Sequence, residues 1–353
     1  MDLLSIMREA AAKEASDIFI VAGAAVTVKV NGRLYQAGDV LSFADCENVV
    51  KEIYHMAGRD MARVQQTGDD DFGLSVPGVS RFRVSGYRQK GGLSVTMRLI
   101  REGLPNPQKL GIPAGIMQLQ DKKKGLVLVT GTTGSGKSTT LACLIDAINQ
   151  TRGGHIITIE DPIEYMHPHK MSVVSQREIE RDTETYLTAL RACLRQAPDV
   201  ILVGEMRDYE TISVAMTAAE TGHLVFSTLH TVGAASTIDR IIDVFPPDQQ
   251  NQIRTQVSMV LQSVISQQLL PTVDGRLCAA YEIMHCNTAV RNLIREGKTH
   301  QLDNIISISA AEGMVGMDSH IFSLFKEGRI SADTAVRFAV KQEEMRRRTA
   351  SII

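Results

Sequence analysis

Apolar positions at the start of the chain recur at helical spacing. Leu3, Leu4, Met7, Ala11 and Ala15 predict a helix over 3–15. The next apolar run, "DIFIV" (17–21), predicts a strand, and "VTVKVNGRLYQ" (26–36) predicts a hairpin turning at Asn31-Gly32. A helix is expected at about 43–58, then two alternating strands over 81–100 around Gly91-Gly92. Residues 1–100 therefore read as a small α+β domain with an antiparallel sheet. "REGLPNPQKLGIP" (101–113) holds three prolines and two glycines and reads as a linker. It is short enough to let two domains rotate but not separate far. From 114 the pattern changes. "GLVLVTG" (125–131), "HIITIED" (155–161), "DVILVGE" (199–205) and "HLVFSTLH" (223–230) are apolar runs with polar tails, separated by helical stretches. Strands of this kind are buried on both faces and form parallel sheets between helices. Ligands then collect at the C-terminal strand ends, where all these polar tails lie. The last third, 246–353, reads as mostly helical from "PPDQQNQIRTQVSMVLQSVISQQLL" onward, with a charged end. The fold class is α/β, with 114–353 as the second domain.

Composition narrows the function. A length of 353 residues fits two domains. Hydrophobic residues at 44% and charged residues at 22% describe an ordinary soluble globular chain. Trp is absent and the net charge is −2, which argues against a nucleic-acid partner. The five cysteines form no C-x-x-C pair, so reduced, buried thiols in the cytoplasm are expected rather than a disulfide framework. No apolar run approaches the length of a membrane span and no signal peptide is visible, so no direct membrane insertion is expected.

The chemistry is most explicit in "GTTGSGKSTT" (131–140). Gly131, Gly136, Lys137 and Ser138 match G-x-x-x-x-G-K-S between a strand and a helix. Such a loop closes backbone N–H groups around phosphate, Lys137 reaches the β/γ-phosphates, and Ser138 binds Mg²⁺. Thr133, Gly134, Ser135 and Thr139 complete the expected phosphate loop. Glu205 ends "DVILVGE" and is the candidate for holding Mg²⁺ through water. "IEDPIEY" (159–165) supplies Glu164 as a candidate base for hydrolysis, against the plain alternative of a solvated acidic turn. His230 is placed to sense a γ-phosphate or to serve as a structural histidine. "HPHK" (167–170) reads as a surface turn rather than half a metal site. Arg81, Arg83, Arg88, Arg98, Arg207 and Arg240 all remain possible phosphate contacts.

The order of these boxes ("GTTGSGKSTT", "IEDPIEY", "DVILVGEMRD" and "TGHLVFSTLHT") resembles the secretion-superfamily hexameric ATPases, which power type IV pili and type II secretion. The resemblance runs on through 245–270 and covers nearly the whole chain. Within the superfamily the chain is similar to PilT-type pilus retraction ATPases. It is short, lacks a four-cysteine zinc insertion, and has "AVRNLIRE" (289–296) close to that subfamily's "AIRNLIRE", which the subfamily needs for retraction. Read alone, the segment is an amphipathic helix with Val290, Leu293 and Ile294 inward.

The resemblance implies an N-terminal PAS-like domain and a C-terminal RecA-like P-loop domain with a mainly parallel sheet. It also implies a homo-hexamer with nucleotide between the domains, and ATP and Mg²⁺ as cofactors. Glu164, Glu205 and His230 take the catalytic positions, and Arg83 and Arg98 those of arginines that reach nucleotide from the N-terminal domain. The implied partner is the inner-membrane platform protein of the pilus, and the implied location is the cytoplasmic face of that membrane. Phe19, Ala197 and Ser227 depart from the family pattern, where His, an acid and Gly are usual. Rival expectations are an assembly or type II secretion ATPase of the same superfamily and, more distantly, a nucleotide-gated binding protein without useful turnover.

Overall fold

Asp2 accepts from the Ser5 amide at 3.2 Å and starts helix α1 (Leu3–Ala12), whose buried stripe is Leu3, Ile6, Met7 and Ala10. Leu4 faces outward. The computed structural model describes residues 2–30, 32–100 and 103–352. Asn31 of the expected turn and Arg101 and Glu102 of the expected linker lie outside them. The chain folds as two compact units, one of Met1–Gly103 with Pro162–Met166, the other of Leu104–Asp161 with His167–Ile353.

In the first unit, β1 (Asp17–Ile20), β2 (Ala25–Val30) and β3 (Arg33–Val40) precede α2 (Phe43–Met56) and α3 (Ala62–Thr67). Then come β4 (Asp69–Val76), β5 (Ser80–Gln89) and β6 (Gly92–Ile100). The sheet order is β3-β2-β1-β6-β5-β4, antiparallel throughout. Ser42 and Asp45 form a reciprocal capping box that starts α2. Lys90 (φ 47°) and Gly91 (φ 82°) make the tight turn between β5 and β6, where two successive positive φ values match the twist of a hairpin. Ile18, Ile20, Phe82, Val84, Val95 and Met97 line the buried face with Met7, Val50 and Ile53 from the helices. This is the α+β architecture expected of a PAS-like domain. Strand β4 was not foreseen, because its opening "DDD" hides the alternation that follows.

The second unit opens with α4 (Pro107–Leu110), capped by Asn106, and α5 (Ala114–Met117). Ile112 is buried in its core, so 104–113 packs as part of the unit rather than running free as a linker. Next are β7 (Gly125–Thr130), α6 (Lys137–Thr151), β8 (Gly154–Glu160), β9 (Ser172–Glu178), α7 (Tyr186–Cys193) and β10 (Val200–Val203). They are followed by α8 (Tyr209–Glu220), β11 (Leu224–Leu229), α9 (Ala234–Asp243) and α10 (Gln250–Val260). Strands β12 (Leu261–Pro271) and β13 (Leu277–His285) precede the terminal helices α11 (Thr288–Arg295), α12 (Leu302–Ile308), α13 (Met317–Lys326), α14 (Ala332–Phe338) and α15 (Gln342–Ala350).

The seven-stranded sheet runs β13-β12-β7-β11-β10-β8-β9, parallel except for β13. Its strands feed two cores by alternation. Leu126, Leu128, Ile201 and Val203 face α8 and α9 residues such as Ile212 and Ile238. Val127, Val129, Val200 and Leu202 face α6 residues such as Leu144 and Ile148. This is the RecA-like layered unit.

The expectation of a mostly helical 246–353 holds for α10 to α15 but not for 261–285, which is a strand pair. Helix α10 ends at Val260 and the chain passes directly into an eleven-residue strand. The apolar run "MVLQSVISQQLL" satisfies either period, and pairing with β7 on one side and β13 on the other decides for strand.

Candidate functional site

Strand β7 delivers Gly131 to the C-terminal edge of the sheet, and α6 begins at Lys137. The turn between them requires glycine. Gly131 has φ 138°, and a Cβ there would lie 2.3 Å from the Gln267 carbonyl oxygen. Gly136 has φ 89°, and its Cβ would lie 2.9 Å from Gln267 Nε2. Both positions demand a left-handed backbone and close approach. Lys137 Nζ lies over the loop, donating to the carbonyls of Gly131 at 2.9 Å and Thr132 at 3.0 Å. Thr133 and Gly134 are exposed at the tip, and Ser138 and Thr139 are half-buried in the first turn of α6.

Ser135 Oγ is buried and has no hydrogen-bond partner. A buried hydroxyl in that condition costs stability unless something else meets it. Set at the start of a helix, whose dipole favours an anion, this loop fits a phosphate chain.

Two further strand ends meet nearby in the sheet order. Glu205 follows β10 and His230 follows β11. Glu205 Oε2 stands 3.4 Å from His230 Nε2 and 2.8 Å from Arg207 Nε, with its side chain 17% exposed. The backbone behind them is laced: Thr228 Oγ1 donates to the Gly204 carbonyl at 2.6 Å, and the Met206 amide to the Thr228 carbonyl at 3.3 Å. A cavity of about 330 Å³ opens here, lined by Glu205, Arg207, Thr228, His230, Thr231 and Arg240 among others. A second cavity, of about 420 Å³, shares Glu205 and Arg207 and is lined also by Asp161, Tyr186 and Asp208 among others. Burial, reinforced by Asp161, Glu205 and Glu160, drives the Tyr186 hydroxyl far above its ordinary pKa. It therefore stays a neutral donor among carboxylates.

The remaining candidates lie in the first unit. Glu164 is exposed and falls within Pro162–Met166. Arg83 and Arg98 are directly paired across β5 and β6. Arg98 Nε donates to Asp17 Oδ1 at 3.0 Å, and an Arg83 guanidinium nitrogen lies 3.9 Å from Asp71. Arg81 shares this face and donates to Ser75 Oγ at 3.2 Å. The phosphate loop, Glu205, His230, Arg207 and Arg240 thus belong to the second unit, and Glu164, Arg81, Arg83 and Arg98 to the first.

The "HPHK" segment is only partly the surface turn expected. His169 is exposed and its Nδ1 accepts from the Val174 amide at 3.1 Å, but His167 is buried. Burial, with Lys170 adding to it and Asp146 opposing it, pushes His167 down to about 4. Asn149 explains the packing. This wholly buried side chain donates to the Pro168 carbonyl at 2.7 Å and accepts from the Lys170 amide at 3.2 Å. Among the described residues no group of three or more His, Cys, Asp or Glu is arranged to hold a metal ion. A divalent cation here would rest on Ser138, Glu205 and phosphate oxygens. That donor set suits Mg²⁺, which retains water and binds few protein ligands.

The sequence profile of the type II/IV secretion system protein family matches residues 2–320. The chain belongs to the type II/IV secretion system protein family. It is 44% identical to the type IV pilus retraction ATPase PilT of Pseudomonas aeruginosa over 336 residues, covering 95% of this chain and 97% of that protein. It is 42% identical to a twitching motility protein of Neisseria gonorrhoeae, covering 97% of this chain and 92% of that one. A crystal structure of the pilus retraction motor PilT with bound ADP superposes with a TM-score of 0.92 at 43% identity, covering 98% and 99% of the two chains. The shared architecture extends over both units. For a member of this secretion family, the residues missed in the sequence are those that support the boxes from a distance: Gln267, Asn149 and Tyr186. None carries a local pattern.

Proposed function

We propose that this chain is the ATPase motor of type IV pilus retraction. The observation that carries the reading is the meeting of Glu205 and His230 at 3.4 Å, on strand ends beside that of the phosphate loop, in a chain so similar to retraction ATPases. The loop from Thr133 to Thr139 holds the phosphates of ATP, with Lys137 on the β/γ-phosphates. Ser138 and Glu205 would hold Mg²⁺, which when bound would neutralise developing charge on the phosphates. Glu164 orients a water molecule and takes its proton as the water oxygen bonds the γ-phosphorus. The bond from the γ-phosphorus to the β-phosphate oxygen breaks, giving ADP and inorganic phosphate. His230 senses the γ-phosphate, and Arg83 and Arg98 contribute nucleotide contacts from the first unit.

The working form is a homo-hexamer on the cytoplasmic face of the inner membrane, pulling through the pilus platform protein. In this reading attachment runs through that partner; no helix among the described residues is long and apolar enough to cross a membrane. Glu164→Gln tests the reading. It preserves volume and removes the base, so turnover should fall by about 100-fold or more while ADP affinity holds. Wild-type phosphate release from the Gln protein would remove Glu164 from the mechanism. In a deletion strain, excess surface pili are the expected phenotype; loss of pili would point to assembly instead.

A further inference from the structure

Gln267 lies on β12, beside β7 and on the side away from β11. It is 1% exposed, a placement that a carboxamide tolerates only with its polar ends met. Both ends are met by the phosphate loop and its helix. Nε2 donates to the Ser135 carbonyl at 2.5 Å, and Oε1 accepts from Thr140 Oγ1 at 2.9 Å. Thr140 is itself buried on α6. The Gln267 backbone oxygen also fills the space that a Cβ on Gly131 would need, and its Nε2 the space of one on Gly136. A single residue thus touches the first glycine, the last glycine, one carbonyl and the following helix.

The consequence is geometric. A trans peptide is planar, with C=O and N–H on opposite sides. Drawing the Ser135 carbonyl toward β12 turns the Gly136 N–H the other way, into the loop. We propose that Gln267 is a positioning residue for phosphate, aiming the Gly136 amide at the bound β-phosphate. The Ser135 carbonyl can only accept, so it takes the carboxamide's donor end, and the tether to Thr140 holds the acceptor end in place. The proposal rests on the reading of 131–138 as the phosphate site.

The test is the ratio of ADP to AMP affinity, measured by calorimetry on the full-length protein and three variants, with thermal melting alongside. Gln267→Glu keeps the shape and the acceptor but loses the donor to Ser135. Gln267→Met loses both bonds. Thr140→Val removes only the tether. Wild type should prefer ADP. That preference should fall at least about tenfold in both Gln267 variants and about threefold in Thr140→Val, because the β-phosphate loses an aimed donor. A buried residue with only a packing role would lower the melting temperature and leave the ratio alone, and that result overturns the proposal. Should neither Gln267 variant fold, Thr140→Val decides by itself: an unchanged ratio overturns the brace and a reduced one supports it. A wild type indifferent between ADP and AMP would instead sink the phosphate reading of the loop, and the brace with it.

Discussion

Strand β5 of the first sheet alternates buried and half-buried residues from Ser80 to Tyr87, whereas β7, β10 and β11 of the second are buried at every position. The difference decides where each unit can keep its chemistry. A sheet covered on one face offers polar side chains along the strand, and Arg81, Arg83 and Arg98 occupy that open face. A sheet covered on both faces has no such surface. Polar side chains inside β7, β10 and β11 are limited to small hydroxyls such as Ser227 and Thr228, and charged groups stand past the strand ends, as Glu205 and His230 do. The first arrangement presents charge over a surface, and the second concentrates it in one place.

The largest effect should come from the concentrated end. Lys137→Ala removes the fixed cation over the phosphate loop. Loss of charge-assisted hydrogen bonds to phosphate should weaken ADP binding by about 100-fold or more, read by calorimetry. Affinity unchanged by this substitution would mean that the strand ends of the second sheet are not where nucleotide charge is met. Stability offers the next contrast. Ile201 is wholly buried on the mid-sheet strand β10, so Ile201→Ala should cost about 2–5 kcal/mol. Ser85→Ala, on the open face of β5, should stay within about 0.5 kcal/mol. Urea midpoints measure both, and equal costs would erase the distinction between the two sheets.

The same contrast explains what the sequence made legible. An apolar run with a polar tail is a local signal, so the phosphate loop, Glu205 and His230 could each be found within a dozen residues. The arginines could not be ranked, because an arginine on an open sheet face has the same neighbours in sequence as a solvated one. Only register shows that Arg83 and Arg98 are opposite one another. Gln267 was out of reach for a different reason: it meets Ser135 across 132 residues, on a strand whose apolar pattern passes for a helix. The packing of "HPHK" likewise depends on Asn149 of α6, which nothing in the motif announces.

His167 marks the point where the chain returns to the second unit after Pro162–Met166 of the first. Its imidazole is held down to about 4 chiefly by burial, against an unfolded value near 6.5. Between those values the unfolded chain binds a proton that the folded chain refuses. Stability is therefore full above about pH 6.5 and declines as pH falls toward 4, by an amount on the order of 2 kcal/mol at pH 5. His285 and His320 are also lowered by burial and add the same sign. His167→Gln should make the drop between pH 7.5 and 5 visibly smaller without removing it. Identical drops in both proteins would show that this junction is wetter than the core around it.

The smallest effect separates two arginines of one helix, α11. The expectation put Leu293 inside with Val290 and Ile294, but only Val290 and Ile294 are buried and Leu293 is half-buried. The helix is therefore held by a narrower stripe. Arg291 is not a free polar residue either. One of its guanidinium nitrogens donates to the Ser258 carbonyl at 2.5 Å and to the Met259 carbonyl at 2.9 Å, at the end of α10 where the helix turns into β12. Those carbonyls have lost their helical partners, and a cation there also suits the helix dipole. Arg291→Ala should cost about 1 kcal/mol. Arg295 is exposed, and Arg295→Ala should cost less than about 0.5 kcal/mol. If α11 couples hydrolysis to pilus withdrawal, Arg295→Ala keeps both stability and ATPase rate while twitching fails. Arg291→Ala loses a little stability as well, so by itself it cannot tell coupling from folding. Normal twitching with Arg295→Ala would leave α11 a prop for the end of α10.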